Sequence, residues 1–327
     1  MNRFFLSIPC CLLVLLFMSI GCQKQPAPPL RIGTNPWPGY EFIYLAREKG
    51  YFAQEGVAVQ LIEFESEAGS RRAFERGQID AMCCTLIEVL QARAQSKRSP
   101  QAVLVTDFSD GADVILSDTS IENVQGLKGK RVAAELGSLN MFILARALDK
   151  NGLKIEDINY VAMNQVDMEK AIEKHQVDAV VTYPPVSTKL GRTKKYKQLF
   201  SSKEIPGELP DILAIDADVV THRKKDIAGV IKAWDRAVRF AATNREEAYQ
   251  IMAARGKITV QEMTEAFEGI RLPTLSEQYS FLKPGGILEQ VLPKTDDVLR
   301  RFGQLAGPKH LTDCVTPGPL TLLKDRR

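Results

Sequence analysis

From Leu30 onward, short β-branched or apolar runs alternate with amphipathic helical stretches. This alternation predicts an α/β fold in which helices connect largely parallel strands. Strands are expected at 30–33, 57–64, 81–83, 103–107, 114–116, 131–134, 158–162, 179–181 and 212–215. Helices are expected at 42–49, 70–76, 85–95, 140–150, 168–174, 225–255 and 260–270. After Leu272 the Pro and Gly content rises, which indicates a tail that packs on the fold and covers its surface.

A weak internal repeat divides this pattern into two similar blocks. Each block consists of a helix, a glycine turn, a strand, a helix and a second turn that leads into a further strand. The matching words are Glu48-Lys49-Gly50 with Lys150-Asn151-Gly152, and Gln78-Ile79-Asp80-Ala81 with Gln176-Val177-Asp178-Ala179. The repeat predicts two α/β lobes of one design. Chance similarity between ordinary βαβ units is the alternative.

Length and charge restrict the class of protein further. A chain of 327 residues is long enough for about two domains. Its content of 45% hydrophobic and 25% charged residues is that of an ordinary globular protein. Because 43 Lys and Arg stand against 40 Asp and Glu, the net charge is only +3. This balance does not favour a nucleic-acid partner, which would require a concentrated basic stripe.

The first 29 residues have the features of an export signal followed by a tether. Arg3 precedes the uncharged, mainly apolar run 4–20, and Gly21-Cys22 follows it. Cys22 resembles the lipidated cysteine of bacterial lipoproteins, although Ser19 lies where such signals most often have Leu. We expect residues 1–21 to be removed, Cys22 to be lipidated, and the Pro-rich segment 22–29 to be an extended tether. An uncleaved membrane helix is the alternative, but 4–20 is shorter than the roughly 20 residues that a span requires.

The cysteines and histidines limit the possible covalent chemistry. Cys10 and Cys11 lie in the segment that we expect to be removed, and with Cys22 lipidated at most one disulfide could form among Cys83, Cys84 and Cys314. The three histidines show no metal-ligand spacing, so neither a metal nor a cofactor is expected.

Several motifs, taken in order, resemble one protein family. They are Asn35-Pro36-Trp37-Pro38-Gly39-Tyr40, Tyr44-Leu45-Ala46, Lys49-Gly50-Tyr51-Phe52, Glu55-Gly56-Val57, Gly77-Gln78-Ile79-Asp80-Ala81, Gly126-Leu127-Lys128-Gly129-Lys130-Arg131-Val132, Gly137-Ser138 and Pro184-Pro185. The set is similar to ABC-transporter solute-binding proteins that serve nitrate, taurine, aliphatic sulfonates and thiamine-pyrimidine precursors. The resemblance covers about residues 30–215.

This resemblance implies a type II periplasmic-binding-protein fold, with two α/β lobes joined by two crossing hinge strands. The first lobe would comprise 30–107 and 216–305, the second 111–211, and a C-terminal tail 306–327. The family implies an extracytoplasmic monomer, held at the membrane by its N-terminal lipid. It would capture a small solute by hinge closure and deliver it to an ABC permease and ATPase without catalysing a reaction. A ligand sensor that presents its closed form to a signalling protein is one alternative, and a pyrimidine-synthesising enzyme of the same fold is another.

In such sheets the ligand lies beyond the carboxyl ends of the strands, where helices begin. The corresponding loops are 35–40, 65–70, 83–85, 108–111, 135–140 and 182–185. From these loops we select seven candidate ligand-binding residues: Trp37, Tyr40, Ser70, Thr85, Phe108, Ser138 and Tyr183. Trp37 and Tyr40 would form an aromatic wall. The alternative for these two rings, and for Phe108, is packing in the core or the hinge.

The three hydroxyl candidates are also expected to cap helices. Thr85 begins a T-x-x-E capping box with Glu88, and Ser70 and Ser138 each follow a glycine before a helical run. Each hydroxyl could therefore serve its helix, a ligand or both.

Acidic residues outnumber basic ones at these loops. The acids are Glu65, Glu67, Asp107, Asp110, Asp113, Glu135 and Asp211, and the bases are chiefly Arg71 and Arg72. A site for a simple anion would pair it with Arg or helix N-termini. The excess of acids therefore favours a ligand with amine or ring N–H donors, such as an aminopyrimidine. Solvated surface charge is the alternative.

Overall fold

The computed structural model describes residues 27–324. The expected signal peptide, Cys22 and most of the expected tether lie outside this range. Eleven strands form two sheets within it. They are β1 (Leu30–Thr34), β2 (Val59–Glu63), β3 (Ala81–Thr85), β4 (Pro100–Ser109), β5 (Val114–Asp118), β6 (Arg131–Ala134), β7 (Asn159–Ala162), β8 (Ala179–Thr182), β9 (Tyr196–Ser201), β10 (Pro210–Asp216) and β11 (Ile270–Arg271).

The two sheets have related but distinct orders. The first sheet has the order β11-β4-β10-β3-β1-β2, and the second has the order β7-β6-β8-β5-β9. Strands β1, β2 and β3 are parallel, as are β6, β7 and β8, whereas β4, β10, β5 and β9 pair antiparallel with their neighbours. The prediction of an α/β fold is therefore confirmed, with a mixed sheet in each half.

Fourteen α-helices in the described range cover the sheets. They are α1 (Glu41–Glu48), α2 (Tyr51–Gln54), α3 (Glu67–Glu75), α4 (Leu86–Gln95), α5 (Leu139–Lys150), α6 (Gln165–Glu173), α7 (Val186–Arg192), α8 (Ala217–His222), α9 (Lys224–Thr243), α10 (Arg245–Gly256), α11 (Val260–Phe267), α12 (Leu275–Leu282), α13 (Ile287–Arg301) and α14 (Gly318–Lys324). Between residues 27 and 324, none of the helices has both the length and the apolar composition needed to cross a membrane.

The internal repeat corresponds to a repeated structural contact. Asp80 accepts hydrogen bonds from the backbone and side chain of Arg31, and Asp178 accepts the same set from Arg131. Each arginine begins or lies in the strand that pairs in parallel with the strand following the aspartate. The turn with the sequence Q-(I/V)-D-A, at 78–81 and at 176–179, therefore connects two neighbouring strands in the same way in both halves.

The chain passes between the sheets twice. It leaves the first sheet at the end of β4 and returns at the start of β10, and these two strands pair along most of their length. At the crossing, Ser109 Oγ lies 2.8 Å from Ser202 Oγ, and the Gly111 amide donates to Ser202 Oγ at 2.6 Å. Gly111 has a φ of +119°, a conformation that favours glycine. We call residues 109–113 and 202–210 the crossover, and β4 and β10, which lead into it and out of it, the crossover strands.

The segment after Leu272 is more regular than its Pro and Gly content predicts. It contains α12, α13 and α14, and Val315 forms a bridge with Ala102 of the first sheet. Gln278 of α12 holds the β4 backbone, donating to the Val105 carbonyl and accepting from its amide, both at 2.8 Å. The helices form because their apolar residues recur at helical spacing between the breakers, which lie mainly at the helix ends.

Candidate ligand-binding site

All seven candidate residues are buried. None of Trp37, Tyr40, Ser70, Thr85, Phe108, Ser138 and Tyr183 is more than 4% exposed. They come from both halves of the molecule and from the crossover strand β4. The structure therefore brings together side chains that are far apart in the sequence.

Two aromatic residues of the first loop face acids on the crossover strands. Trp37 Nε1 donates to Asp107 Oδ1 at 3.1 Å, and the Tyr40 hydroxyl donates to Asp211 Oδ1 at 2.6 Å. The Trp37 ring also meets Tyr183 from the other half edge-on, with ring centroids 5.9 Å apart. These rings adopt fixed orientations because each polar edge has a buried partner or a facing ring.

Gly39 allows this arrangement to be compact. A β-carbon at Gly39 would lie 1.9 Å from Asp107 Oδ2 and 2.8 Å from Trp37 Nε1. Only glycine therefore lets the first loop approach the Asp107 carboxyl group.

Thr85 caps α4 as predicted. Its hydroxyl accepts from the Ile87 amide at 3.2 Å, and both its amide and its hydroxyl donate to Glu88 Oε2, at 2.9 and 2.6 Å. The capping box is confirmed, and it holds the Glu88 carboxyl group at the buried end of the helix.

The prediction that Ser70 is an N-cap is wrong. Helix α3 begins three residues earlier, because Ser66 is its N-cap and accepts from the Gly69 amide at 3.1 Å. Ser70 lies inside the helix instead, against the backbone of β1, where a β-carbon on Gly33 would be 2.7 Å from Ser70 Oγ. Its hydroxyl therefore has no capping role.

Ser138 is the N-cap of α5, as predicted, since its hydroxyl accepts from the Asn140 amide at 3.2 Å. The same helix end receives a carboxylate from the other half of the molecule. Glu67 Oε2 accepts from the Leu139 amide at 3.3 Å. An acid at a helix N-terminus interacts favourably with the helix dipole. This bond links α3 directly to α5.

Phe108 packs in the hinge region. Its ring lies 5.4 Å from Phe281 of α12 in an edge-on arrangement, and the Arg271 guanidinium lies 4.2 Å from its centroid. These contacts fit the packing alternative for Phe108.

Six buried carboxyl groups converge on this region. We call them the carboxyl cluster: Glu67, Glu88, Asp107, Asp113, Glu135 and Asp211. They come from both sheets and from the crossover strands. Five of them are among the seven loop acids noted in the sequence. The other two, Glu65 and Asp110, are exposed.

Burial raises the pKa of every member of the carboxyl cluster. It raises the pKa of Asp107 and of Asp113 to about 7. Burial alone raises the pKa of Glu88, and burial with the negative charges of neighbouring members raises the pKa values of Glu67, Glu135 and Asp211. Removing water and placing like charges together both favour the neutral carboxyl form. At neutral pH the cluster therefore retains part of its protons.

Several polar atoms here have no hydrogen-bond partner among the described residues. The atoms are both amide atoms of Asn35, Ser70 Oγ, Arg71 Nε, Glu88 Oε1, Asp113 Oδ2, the Tyr183 hydroxyl and Asp211 Oδ2. Buried polar groups without partners are uncommon, and each one costs free energy. The arrangement can therefore supply hydrogen bonds to a bound molecule.

Two further residues of the site, Asn35 and Glu88, are not among the seven candidates predicted from the sequence. Asn35 directly follows β1, and Glu88 is the acid of the Thr85 capping box. Asn35 could have been found from the sequence, because it directly follows a strand. Glu88 could not, because the only role that the sequence indicates for it is capping its own helix.

Cys83 and Cys84 are buried free thiols beside the same region, and Cys314 is also free. Burial, together with the charges of Asp211 and Asp107, raises the pKa of Cys83, and burial with the charge of Glu88 raises that of Cys84. Both thiols are therefore protonated and weakly nucleophilic at neutral pH.

Known proteins share this architecture. The periplasmic aliphatic sulphonate binding protein SsuA from Escherichia coli matches with a TM-score of 0.75 at 19% identity, over 88% of this chain and 98% of that one. The likeness confirms the expected periplasmic-binding-protein fold.

Two curated proteins are similar in sequence. A candidate binding protein of Brucella abortus (strain 2308) is 24% identical over 286 residues, which cover 86% of this chain and 88% of that protein. The 4-amino-5-hydroxymethyl-2-methylpyrimidine phosphate synthase of Aspergillus parasiticus is 28% identical over 145 residues, or 43% of this chain and 41% of the synthase. The model of the NMT1-like family matches residues 23–255. Because this match spans well over half of the chain, the chain belongs to the NMT1-like family.

Proposed function

We propose that this protein is the extracytoplasmic solute-binding component of an ABC importer. It captures a small organic ligand between two lobes, 30–107 with 216–305 and 111–211, and delivers it to a permease and its ATPase. The observation that carries this proposal is the buried polar site, to which both sheets contribute and in which several groups lack partners within residues 27–324. Small-molecule sites typically combine a few directed polar groups with aromatic side chains.

Closure of the crossover is the proposed mechanism. The candidate residues come from both lobes, so a ligand that contacts both lobes interacts more strongly with the closed form than with the open one. The Glu67 bond to the Leu139 amide and the Trp37–Tyr183 contact form only when the lobes meet. Such differential contacts are the source of hinge closure.

The site supports binding more than catalysis. Its two cysteines are protonated at neutral pH, and its carboxyl groups are held by aromatic donors and helix ends. Similarity to a pyrimidine-synthesising enzyme covers less than half of the chain. We also propose, from the lipoprotein resemblance, that lipid on Cys22 anchors the domain to the membrane.

A thermal-shift screen followed by small-angle scattering tests the function. Sulfonates, nitrate, aminopyrimidines and flavin-like compounds are each added to the purified chain, because a ligand specific to the folded state raises its midpoint. The best stabilising compound should also reduce the radius of gyration. A tight ligand that leaves the radius unchanged would contradict closure.

A further inference from the structure

The end of α5 that could bind an anion is already occupied by the protein. The Leu139 amide donates to Glu67, the Asn140 amide to the Ser138 hydroxyl, and the Met141 amide to the Ser138 carbonyl. A bound anion would have to displace the Glu67 carboxylate from the helix dipole. Its own negative charge would then lie beside the rest of the carboxyl cluster, which is unfavourable.

The nearby arginines provide little charge for an anion. Arg71 is buried, and its Nη1 donates to Glu75 and to Gln95 Oε1, the latter at 2.9 Å, whereas its Nε has no partner among the described residues. Arg72 is exposed, and its charge acts against the effect of burial on the pKa of Glu135. These two arginines stand against six carboxyl groups, so the site has an excess of negative charge whenever these groups ionise.

Carboxyl oxygens are the largest group among the buried oxygens without partners in the described residues. Glu88 Oε1, Asp113 Oδ2 and Asp211 Oδ2 belong to carboxyl groups, which only accept hydrogen bonds when ionised. The Tyr183 hydroxyl, on a side chain 1% exposed, also has no partner among the described residues, and its pKa is raised by burial and by Glu67, Glu135, Asp113 and Glu88. The hydroxyl therefore lies within the field of the cluster. A bound group with several N–H donors and a positive charge would satisfy these unpartnered carboxyl oxygens.

Accepting the proposed function, we infer that the ligand carries a positively charged nitrogen head group, of the ammonium or amidinium type, that binds in the carboxyl cluster. Such a group can donate to several carboxylate oxygens at once and cancel their mutual repulsion. The rings of Trp37 and Tyr183 lie at the same site, where aromatic faces can also attract a cation. This inference narrows the ligand to one charge class and excludes sulfonate and nitrate.

The direction in which the affinity for a cationic ligand changes with pH follows from the same carboxyl groups. A cation binds best to ionised carboxylates, so its affinity should rise as Asp107 and Asp113 lose their protons near pH 7. For each such group that must ionise, the affinity rises about tenfold between about pH 6 and pH 8. The other titratable or charged groups facing the cluster are Tyr40, Tyr183, Cys83, Cys84, Arg71 and Arg72. The raised pKa values of the tyrosines and thiols keep them neutral in this range. An anion would show the opposite trend.

Three probes of similar shape test the inference: benzamidinium, benzamide and benzenesulfonate. The cation and the anion keep their charges between about pH 6 and pH 8. Thermal midpoint and calorimetric affinity are measured for the full chain in detergent, with scattering on each mixture. We expect benzamidinium alone to stabilise and compact the chain, with at least about tenfold tighter binding at the higher pH.

Matched variants locate the effect. Glu135→Gln and Asp113→Asn each remove one charge of the carboxyl cluster, and each should weaken benzamidinium binding about tenfold. Glu65→Gln changes an exposed acid in a neighbouring loop and should leave the affinity unchanged. Thermal unfolding without probe shows that each variant is folded.

The possible outcomes distinguish the claim of a cationic ligand from the proposed solute-binding function. Stabilisation and compaction by benzenesulfonate would overturn the cationic ligand and keep the solute-binding function. Equal binding of benzamide and benzamidinium, or unchanged binding by Glu135→Gln and Asp113→Asn, would also overturn the cationic ligand. If no probe binds and none changes the scattering, the inference is contradicted, and failure of the broader compound screen as well would contradict the proposed function.

Discussion

Asp107 and Asp211 lie directly opposite each other on β4 and β10, the antiparallel strands by which the chain leaves and re-enters the first sheet. Each carboxyl group accepts from one aromatic residue of the first loop, Asp107 from Trp37 and Asp211 from Tyr40. Burial raises the pKa of both, that of Asp107 to about 7. A titratable pair is therefore built into the two strands that connect the lobes.

Asp107→Asn should stabilise the ligand-free protein above pH 7. The unfolded chain releases the Asp107 proton near pH 4, whereas the folded chain releases it only near pH 7. The free energy of unfolding therefore falls as the pH rises through this window. Because asparagine cannot ionise, Asp107→Asn should raise the free energy of unfolding by about 1 to 4 kcal/mol at about pH 8 and by little near pH 4. Chemical denaturation at several pH values measures the difference.

Glu122→Gln is the control for this experiment, because Glu122 is an exposed acid. Its pH–stability curve should follow that of the wild type. An Asp107→Asn curve parallel to the wild-type curve at all pH values would show that Asp107 titrates normally and contradict the prediction.

Tyr183→Phe and Tyr40→Phe should have opposite effects on stability. The Tyr183 hydroxyl has no partner among the described residues, so its loss should leave the ligand-free chain equally stable or stabilise it by up to about 1 kcal/mol. The Tyr40 hydroxyl donates to Asp211, so its loss should cost about 1 to 3 kcal/mol. Thermal unfolding compares the two. Equal destabilisation by both variants would show that Tyr183 has a structural partner.

The two Q-(I/V)-D-A motifs are recognisable in the sequence because each half of the molecule requires the same Asp–Arg contact between neighbouring strands. Asp80 and Asp178 each fix an arginine of the neighbouring strand, and this local role leaves a local pattern. The carboxyl cluster leaves no such pattern. Glu67 and Glu135 come together only when two lobes meet, and an acid near a loop has the same appearance in sequence whether it is buried or solvated.

Thr85→Ala should destabilise the protein by about 1 kcal/mol, because α4 loses its N-cap. Thr85→Ser retains the hydroxyl and should recover most of this loss. Thermal unfolding without ligand measures the structural effect. If Thr85 also contacts the best stabilising compound, alanine should weaken binding and serine should restore it. Equal stability of the alanine and serine variants would contradict the capping role.

Gly269→Ala should destabilise the protein, whereas Gly191→Ala should not. A β-carbon at Gly269 would lie 2.5 Å from the Ala112 backbone nitrogen, so the crossover would have to shift, at a cost of about 1 to 3 kcal/mol. Gly191 lies in α7 with nothing within 4 Å of its β-carbon position. Alanine there should be neutral or stabilise by up to about 1 kcal/mol. Denaturant titration distinguishes the two, and a neutral Gly269→Ala would show that the crossover tolerates a side chain.

Arg192→Ala should weaken ligand binding a few-fold without a large loss of stability. Arg192 of α7 pairs with Glu265 of α11 at 2.8 Å and with Glu262 at 3.4 Å, so it connects the two lobes at the surface. Surface pairs contribute little individually, and salt screens them. The difference from wild type should therefore vanish at high salt. Arg47→Ala, which breaks a pair within one lobe, is the control.

Two errors in the sequence analysis have physical causes. Ser70 follows a glycine and precedes a helical run, but Ser66 also suits an N-cap and places Glu67 in the first turn, so the helix begins there. Strand β9 was not predicted because its sequence, Tyr196–Ser201, is largely polar. It pairs only with β5, so as an edge strand it does not require an apolar face on both sides.

Small-angle scattering of the full chain with and without its best stabilising compound tests the central claim most directly. With the compound present, the profile should match the compact arrangement in which all seven candidate residues are buried. Without the compound, the radius of gyration should be larger, because the lobes separate about the crossover. An identical profile in both states, with a compound that binds tightly, would contradict capture by closure.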